Sequence, residues 1–264
     1  CAARVARMRI ATYNINGVKA RLPRLLEWLE ETQPDVACLQ EVKSQDEGFP
    51  VEEFERAGYG AIWHGQKSFN GVAILAKGAQ PVEAQRTLPG DPEDEHARYL
   101  EADVFGIRVA SIYLPNGNPL PGPKFDYKLA WMKRLYDRAA ELLAAEIPAV
   151  LAGDYNVIPH AHDIWAPGAM LDDALRQPES IAAYRALLGQ GWTDALATHY
   201  PQGGIWTFWD FQAGAWQRDH GFRIDHLLLS PVVADRLSSC GVDKDHRGRE
   251  KASDHAPTWV ELTD

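Results

Sequence analysis

The sequence predicts a mixed α/β chain in which two packed β-sheets carry helices on their outer faces. Two observations carry this expectation. Short apolar runs rich in Val, Ile and Tyr alternate with amphipathic stretches along the 264 residues, and strand candidates outnumber helix candidates. No G-x-G-x-x-G and no P-loop follows any strand candidate, which counts against a doubly wound nucleotide-binding fold.

The first strand is predicted over residues 9–13, where an apolar run stops at Asn14. A helix follows, because Leu22, Leu25, Leu26 and Leu29 form a stripe at helical spacing before Pro34 stops it. Further strands are predicted over residues 35–40, 60–63, 72–75, 99–104 and 108–113. A longer stripe of Leu129, Met132, Leu135, Tyr136, Ala139, Leu142 and Leu143 predicts the main helix, ended by Pro148. Residues 149–152 read as a strand, 178–188 as a helix, 223–229 as a strand, 231–237 as a helix and 258–262 as the last strand. Long loops are expected at 88–97, 116–123 and 203–221, and long loops tend to carry function. No internal repeat or Pro/Gly/Ser linker divides the chain. One domain over residues 8–264 is therefore expected, with residues 1–7 an N-terminal extension or remnant ahead of Met8.

Composition narrows the function classes. The 27 basic against 37 acidic side chains give a net charge of −10, which excludes binding to nucleic acid through bulk positive charge. It leaves open an enzyme that gathers carboxylates around metal ions. The three cysteines, Cys1, Cys38 and Cys240, are too far apart for a zinc cluster or a disulfide framework. Apolar runs such as residues 147–152 are far shorter than the ~20 residues a bilayer requires, and no signal-peptide pattern is present. A soluble, cytoplasmic protein without a membrane role is expected.

Polar residues stand where the apolar runs stop. Asn14 and Asn16 follow the first strand, Glu41 the second, and Tyr113 ends the run at 109–112. Asp154 and Asn156 follow the run at 150–153, Asp225 interrupts an apolar strand, and Asp254-His255 precedes the last strand. A carboxylate inside an apolar strand needs a partner or a metal. Asp, Glu and Asn oxygens suit hard cations, and Mg²⁺ commonly takes one or two carboxylates with water and phosphate oxygens. A histidine can contact a phosphoryl oxygen or move a proton, and a second carboxylate can fix its tautomer. These are the parts of metal-assisted phosphodiester hydrolysis.

The wording of these segments carries a resemblance. Thr12-Tyr13-Asn14-Ile15-Asn16-Gly17, Leu39-Gln40-Glu41-Val42-Lys43, Tyr113-Leu114-Pro115-Asn116-Gly117, Gly153-Asp154-Tyr155-Asn156-Val157, Arg223-Ile224-Asp225-His226 and Ser253-Asp254-His255-Ala256-Pro257 occur in that order. Together they resemble the exonuclease III family of AP endonucleases, in the exonuclease–endonuclease–phosphatase superfamily, over roughly residues 8–262. The resemblance implies a four-layered α/β sandwich, two mixed β-sheets flanked by helices. It implies cleavage 5′ to abasic sites in duplex DNA, with 3′→5′ exonuclease and 3′-phosphodiesterase or phosphatase activity on blocked 3′ ends. A monomer that needs Mg²⁺ or Mn²⁺ is expected.

By the same resemblance, Glu41 is the direct metal ligand, helped by Asn14, Asp254, Asp154 and Asn156. Asp154 or His255 serves as the base, Asn156 positions the phosphate, Asp225 holds the His255 imidazole, and Tyr113 donates to a phosphate oxygen. Phe208, Trp209 and Phe222 form a pocket for the abasic sugar, and Lys19, Arg21, Arg98, Asn116, Lys124 and Arg218 are the expected DNA contacts. His226 is expected to point away from Asp225 in a structural role, and His160 and His162 are expected not to be ligands. Two rivals stand beside this reading: a relative acting on another phosphoester, such as RNA or an inositol phosphate, and a catalytically dead DNA-binding scaffold. Every catalytic position is filled, which argues against the scaffold.

Overall fold

The computed structural model describes residues 7–264. Cys1 and all but Arg7 of the expected extension lie outside the described residues. In chain order the elements are β1 (Arg7–Asn14), α1 (Val18–Thr32), β2 (Val36–Gln40), α2 (Val51–Arg56), β3 (Tyr59–His64), β4 (Val72–Lys77), β5 (Val82–Gln85), β6 (Tyr99–Val104), β7 (Ile107–Tyr113) and α3 (Pro123–Ala144). There follow β8 (Ala149–Asp154), α4 (Pro178–Gly189), β9 (Thr193–Asp194), α5 (Ala195–His199), β10 (Asp225–Leu229), α6 (Pro231–Ala234), β11 (Leu237–Val242), α7 (Lys244–Arg247) and β12 (Thr258–Thr263). No helix among the described residues is long and apolar enough to cross a membrane.

Two six-stranded mixed sheets result, ordered β11-β12-β1-β2-β4-β3 and β5-β6-β7-β8-β10-β9. Their inner faces meet in one core, where Ile10, Val36 and Ile74 of the first sheet face Leu100, Val109, Val150 and Leu227 of the second. The outer face of the first sheet packs Tyr13, Leu39 and Leu75 against Trp28 and Leu29 of α1 and Phe54 of α2. The outer face of the second packs Ile112, Leu151 and Leu228 against Leu135 of α3 and Leu187 of α4. These are the four layers expected. Both faces of the central strands are covered, so β2 is buried at every residue and reads as a continuous apolar run rather than an alternation.

Beyond the short α2, β9, α5 and α7, which no pattern in the sequence announces, three elements depart from expectation for local reasons. The helix expected over 231–237 stops at Ala234, and Leu237 opens β11. A register shift between Leu237 and Ser239 breaks the two-residue period of that strand, hiding it from pattern reading. β5 is a largely exposed edge strand of four residues, too short for the alternation of Val82 and Ala84 to stand out.

The two sheets are also tied by polar contacts at one end. Thr12 Oγ1 donates to Gln40 Oε1 (3.1 Å), and Gln40 Nε2 donates to Ser111 Oγ (3.0 Å) across the sheets. A second buried network anchors the loop after β8. Arg223 grips Asp163 through Nε (2.9 Å) and Nη2 (3.0 Å), and its Nη1 donates to Asp194 (2.8 Å). Nη1 also donates to His226 Nδ1 (3.0 Å), so the ring proton sits on Nε2, which donates to Val157 O (2.9 Å). His226 is thus a buried structural residue facing away from Asp225.

That network predicts an acid sensitivity. Burial and the Arg223 charge hold His226 down to about 4, so the unfolded chain, near 6.5, takes up the proton first. The stabilisation from neutral His226 is present above about 6.5 and is lost as pH falls toward about 4. The loss is on the order of 3 kcal/mol. Asp194 is buried, which alone would raise it, yet Arg223 holds it to about 2, so its contribution is lost only below its ordinary 3.8. Thermal melting from pH 7 to 4.5 is therefore expected to fall more steeply for the natural protein than for His226→Gln. Parallel curves would contradict the assignment.

Candidate active site

The sheet registers bring the candidate residues together. β7 and β8 run parallel with Tyr113 opposite Asp154, and β10 runs antiparallel to β8 with Asp225 opposite Asp154. Residues opposite one another share a face, so Tyr113, Asp154 and Asp225 form one row. In the other sheet β1 and β2 are parallel with Asn14 opposite Gln40, which places Glu41 beside Asn14. The Asn14 amide spans the sheets, donating from Nδ2 to Glu41 Oε1 (2.9 Å) and to Asp154 Oδ2 (2.9 Å). His255 arrives on the segment before β12. Ser253 Oγ donates to Asn14 O (2.6 Å) and accepts from the His255 backbone N–H (3.2 Å).

His255 lies between two carboxylates. Its Nδ1 donates to Asp225 Oδ2 (2.8 Å), and its Nε2 stands 3.7 Å from Asp154 Oδ2. A carboxylate can only accept here, so Nδ1 carries a proton. Burial would lower the imidazole, but Asp225 and then Asp154 outweigh it and push His255 up to about 10. Asp154 moves the other way from an ordinary carboxylate: burial raises it to about 7, the His255 charge resists, and the nearby Asp225 adds to the rise. Burial likewise would raise Glu41, yet Lys43 and Asn14 hold it below the usual carboxylate range. Burial, with Glu41 and Asp154 alongside, keeps the Tyr113 hydroxyl protonated, a donor rather than a base.

Left-handed backbone also occurs at the same place. Asn16 (φ 48°), Glu41 (φ 48°), Lys43 (φ 51°) and Asn156 (φ 47°) are all left-handed without being glycine. Such residues persist where surrounding contacts over-determine them, and they cluster at functional sites. Glu41, Asp154 and His255 offer donor atoms within 4.8 Å of one another. A protonated His255 is no ligand, so the usable donors are carboxylate oxygens, a set that fits a hard divalent cation. Asp254 borders the same cleft, with Oδ1 accepting from Asn16 Nδ2 (3.1 Å). His160, His162 and Asp163 are grouped as closely, but both Asp163 oxygens are held by Arg223.

Of the residues expected to touch substrate, Asn116, Phe208, Arg218 and Phe222 line the cleft that opens over Asp154 and His255. Asn116 Nδ2 donates to Asn156 Oδ1 (3.1 Å), and Asn156 Nδ2 donates to Leu114 O (2.9 Å), so Asn156 is tied to the β7 loop. Lys19 and Lys124 are exposed, and neither they nor Arg21 line the cleft. Arg98 lies over the Tyr113 ring (4.8 Å) and donates to Tyr113 O (3.2 Å), bracing the tyrosine. Trp209 requires a correction. It is fully buried, donates its indole N–H to Asp219 (2.8 Å) and packs edge-on against Trp216. Neighbours on an extended segment point opposite ways, and Phe208 takes the cleft side. Ile224 lines the cleft instead.

Lys128 carries no sequence signal beyond one polar position in a helical stripe. It is completely buried, and its Nζ donates to the backbone carbonyls of Asn116 (3.0 Å) and Asn156 (2.6 Å). It holds together the two loops that present those asparagines. Lys128→Met would leave the buried Asn156 carbonyl and the Asn116 carbonyl without this donor, with an expected loss of about 2 kcal/mol in urea unfolding. Unchanged stability would show that the carbonyls find other donors.

Comparison with known proteins agrees with this geometry. Residues 11–255 match the Endonuclease/Exonuclease/phosphatase family, and the chain belongs to it. It is 35% identical over 270 residues to exodeoxyribonuclease III of Haemophilus influenzae, covering 97% of this chain and 100% of that protein. The chain is thus a hydrolase of the nuclease type, similar to exodeoxyribonuclease III. Its fold superposes on an AP endonuclease from Archaeoglobus fulgidus with a TM-score of 0.92 at 35% identity, covering 97% of this chain and 99% of that one. It superposes equally well on NExo, a 3′–5′ exonuclease from Neisseria meningitidis, with a TM-score of 0.94 at 35% identity, covering 97% and 100%.

Proposed function

We propose that this protein is a Mg²⁺- or Mn²⁺-dependent DNA repair phosphodiesterase. It cleaves 5′ to abasic sites in duplex DNA, removes 3′-terminal nucleotides and clears blocked 3′ ends, working on cytoplasmic DNA as a monomer over one domain. The observation that carries this reading is the Asp225–His255–Asp154 row beside Glu41, opening onto a cleft lined by aromatic rings. Asp154, buried and set between Asn14 Nδ2 (2.9 Å) and His255 Nε2 (3.7 Å), accepts the proton of the attacking water. His255, kept cationic by Asp225, holds a phosphoryl oxygen rather than acting as the base. Tyr113 donates its hydroxyl to the same phosphate, and Asn116 and Asn156 fix its position. Glu41, with Asp154 and Asp254, would hold the divalent cation, which when bound supplies positive charge to the developing phosphorane oxygens. Phe208, Phe222 and Ile224 receive the sugar.

The test is a synthetic duplex with one tetrahydrofuran abasic analogue, incubated with the purified protein in Mg²⁺ or in EDTA. Incision immediately 5′ to the analogue, abolished by EDTA, is expected. Hydrolysis of RNA or inositol phosphates with no incision of this duplex would favour the alternative phosphoester instead.

A further inference from the structure

Aromatic rings form a continuous file from the reaction centre to the lip of the cleft. The His255 imidazole is 4.9 Å from the Phe208 ring, which is 4.7 Å from Phe222. Phe222 is 6.1 Å from Trp165, and Trp165 is 5.3 Å from His220 at an interplanar angle of only 5°. All five residues line the cleft, and the mechanism above uses only the first three.

The outer pair is built rather than incidental. The Trp165 backbone N–H donates to Gly221 O (3.0 Å), joining the loop after β8 to the 210–221 tract. Gly221 is wedged so tightly that a Cβ would meet Trp206 Cβ and Trp209 Nε1 at 2.7 Å, which fixes the backbone between His220 and Phe222. Carbon atoms in contact lie ~3.5–4.0 Å apart. Parallel rings with centroids 5.3 Å apart are therefore offset, and neither fully covers the face of the other. Trp165 and His220 are both only partly buried.

Incision 5′ to an abasic sugar and removal of a 3′-terminal nucleotide present the same sugar to the same pocket. They differ in whether a base hangs from that sugar. If the rings nearest His255 receive the sugar, as proposed above, the rings further out lie toward whatever is attached to it. We propose that Trp165 and His220 form a stacking platform for the base of an unpaired 3′-terminal nucleotide, setting the balance between nucleotide removal and abasic incision. This rests on the proposed nuclease reading.

The experiment measures kcat/KM on two duplexes, one with a 3′-terminal mismatched nucleotide and one with an internal tetrahydrofuran. Enzymes are the natural protein, Trp165→Ala, Trp165→Phe and His220→Ala, each checked by thermal melting. The ratio of mismatch removal to abasic incision should fall about tenfold in Trp165→Ala, as expected when one base–aromatic stack is lost. Trp165→Phe should restore most of it. His220→Ala, at the lip, should lower the ratio in the same direction. Ratios within about twofold of the natural protein in both alanine variants would overturn the proposal. Failure of the natural protein to incise the tetrahydrofuran duplex would count against the nuclease reading itself.

Discussion

Asp154→Asn is expected to slow phosphodiester cleavage at least about a thousandfold while the protein stays folded. The carboxylate is buried, accepts Asn14 Nδ2 at 2.9 Å and faces the protonated edge of His255 at 3.7 Å. Asparagine has nearly the same shape but cannot take a proton from water. It can still accept from the Asn156 backbone N–H, now 3.0 Å from Asp154 Oδ1. It would, however, turn an amide toward Asn14, which must flip. Folding should not suffer, since burial, with Asp225 and Glu41, disfavours the Asp154 charge more than His255 and Asn14 favour it. Single-turnover rates on the abasic duplex, alongside melting curves, check this. A variant within tenfold of the natural rate would place the proton acceptor elsewhere, and a collapsed melting curve would make Asp154 structural.

Asp225→Asn and His255→Ala should each cost on the order of a hundredfold in rate, and the double variant little more than the worse single. Asp225 Oδ2 accepts from His255 Nδ1 at 2.8 Å, and the Asp225 backbone N–H is itself held by Thr207 Oγ1 at 3.1 Å. That carboxylate fixes the imidazole tautomer and keeps it cationic against the cost of burial. Without it, burial favours the neutral ring, and the phosphate loses its positive contact. kcat/KM for all four proteins on the abasic duplex decides the matter. Fully multiplicative losses would show two independent residues.

The row of Tyr113, Asp154 and Asp225 is legible in the sequence because it sits on strand ends. Strands of adjacent register carry Tyr113, Asp154 and Asp225 into line, and the same apolar runs that announce the strands mark where their polar ends fall. Residues that act through tertiary contacts are not legible. Lys128 looks like any polar position on a helix, and only the close approach of two loops to α3 makes it an internal clamp. Trp165 and His220 are 55 positions apart and meet only because the loop after β8 folds against the 210–221 tract. Trp209 misleads because aromatic density does not reveal which side of an extended segment faces the cleft. β11 is hidden by its bulge and β5 by its shortness.

The proposed hydrolysis depends on carboxylates at this strand-end site holding a divalent cation. The most direct measurement is the rate of tetrahydrofuran-duplex incision against Mg²⁺ concentration for the natural protein and for Glu41→Gln. Glu41 combines a carboxylate held ionised by Lys43 (2.8 Å) and Asn14 (2.9 Å) with a strained backbone at φ 48°. The variant's curve should shift to at least about tenfold higher Mg²⁺, as loss of one charged ligand from a hard-cation site implies, with its melting temperature preserved. Superimposable curves for the two proteins would show that Glu41 does not hold the cation.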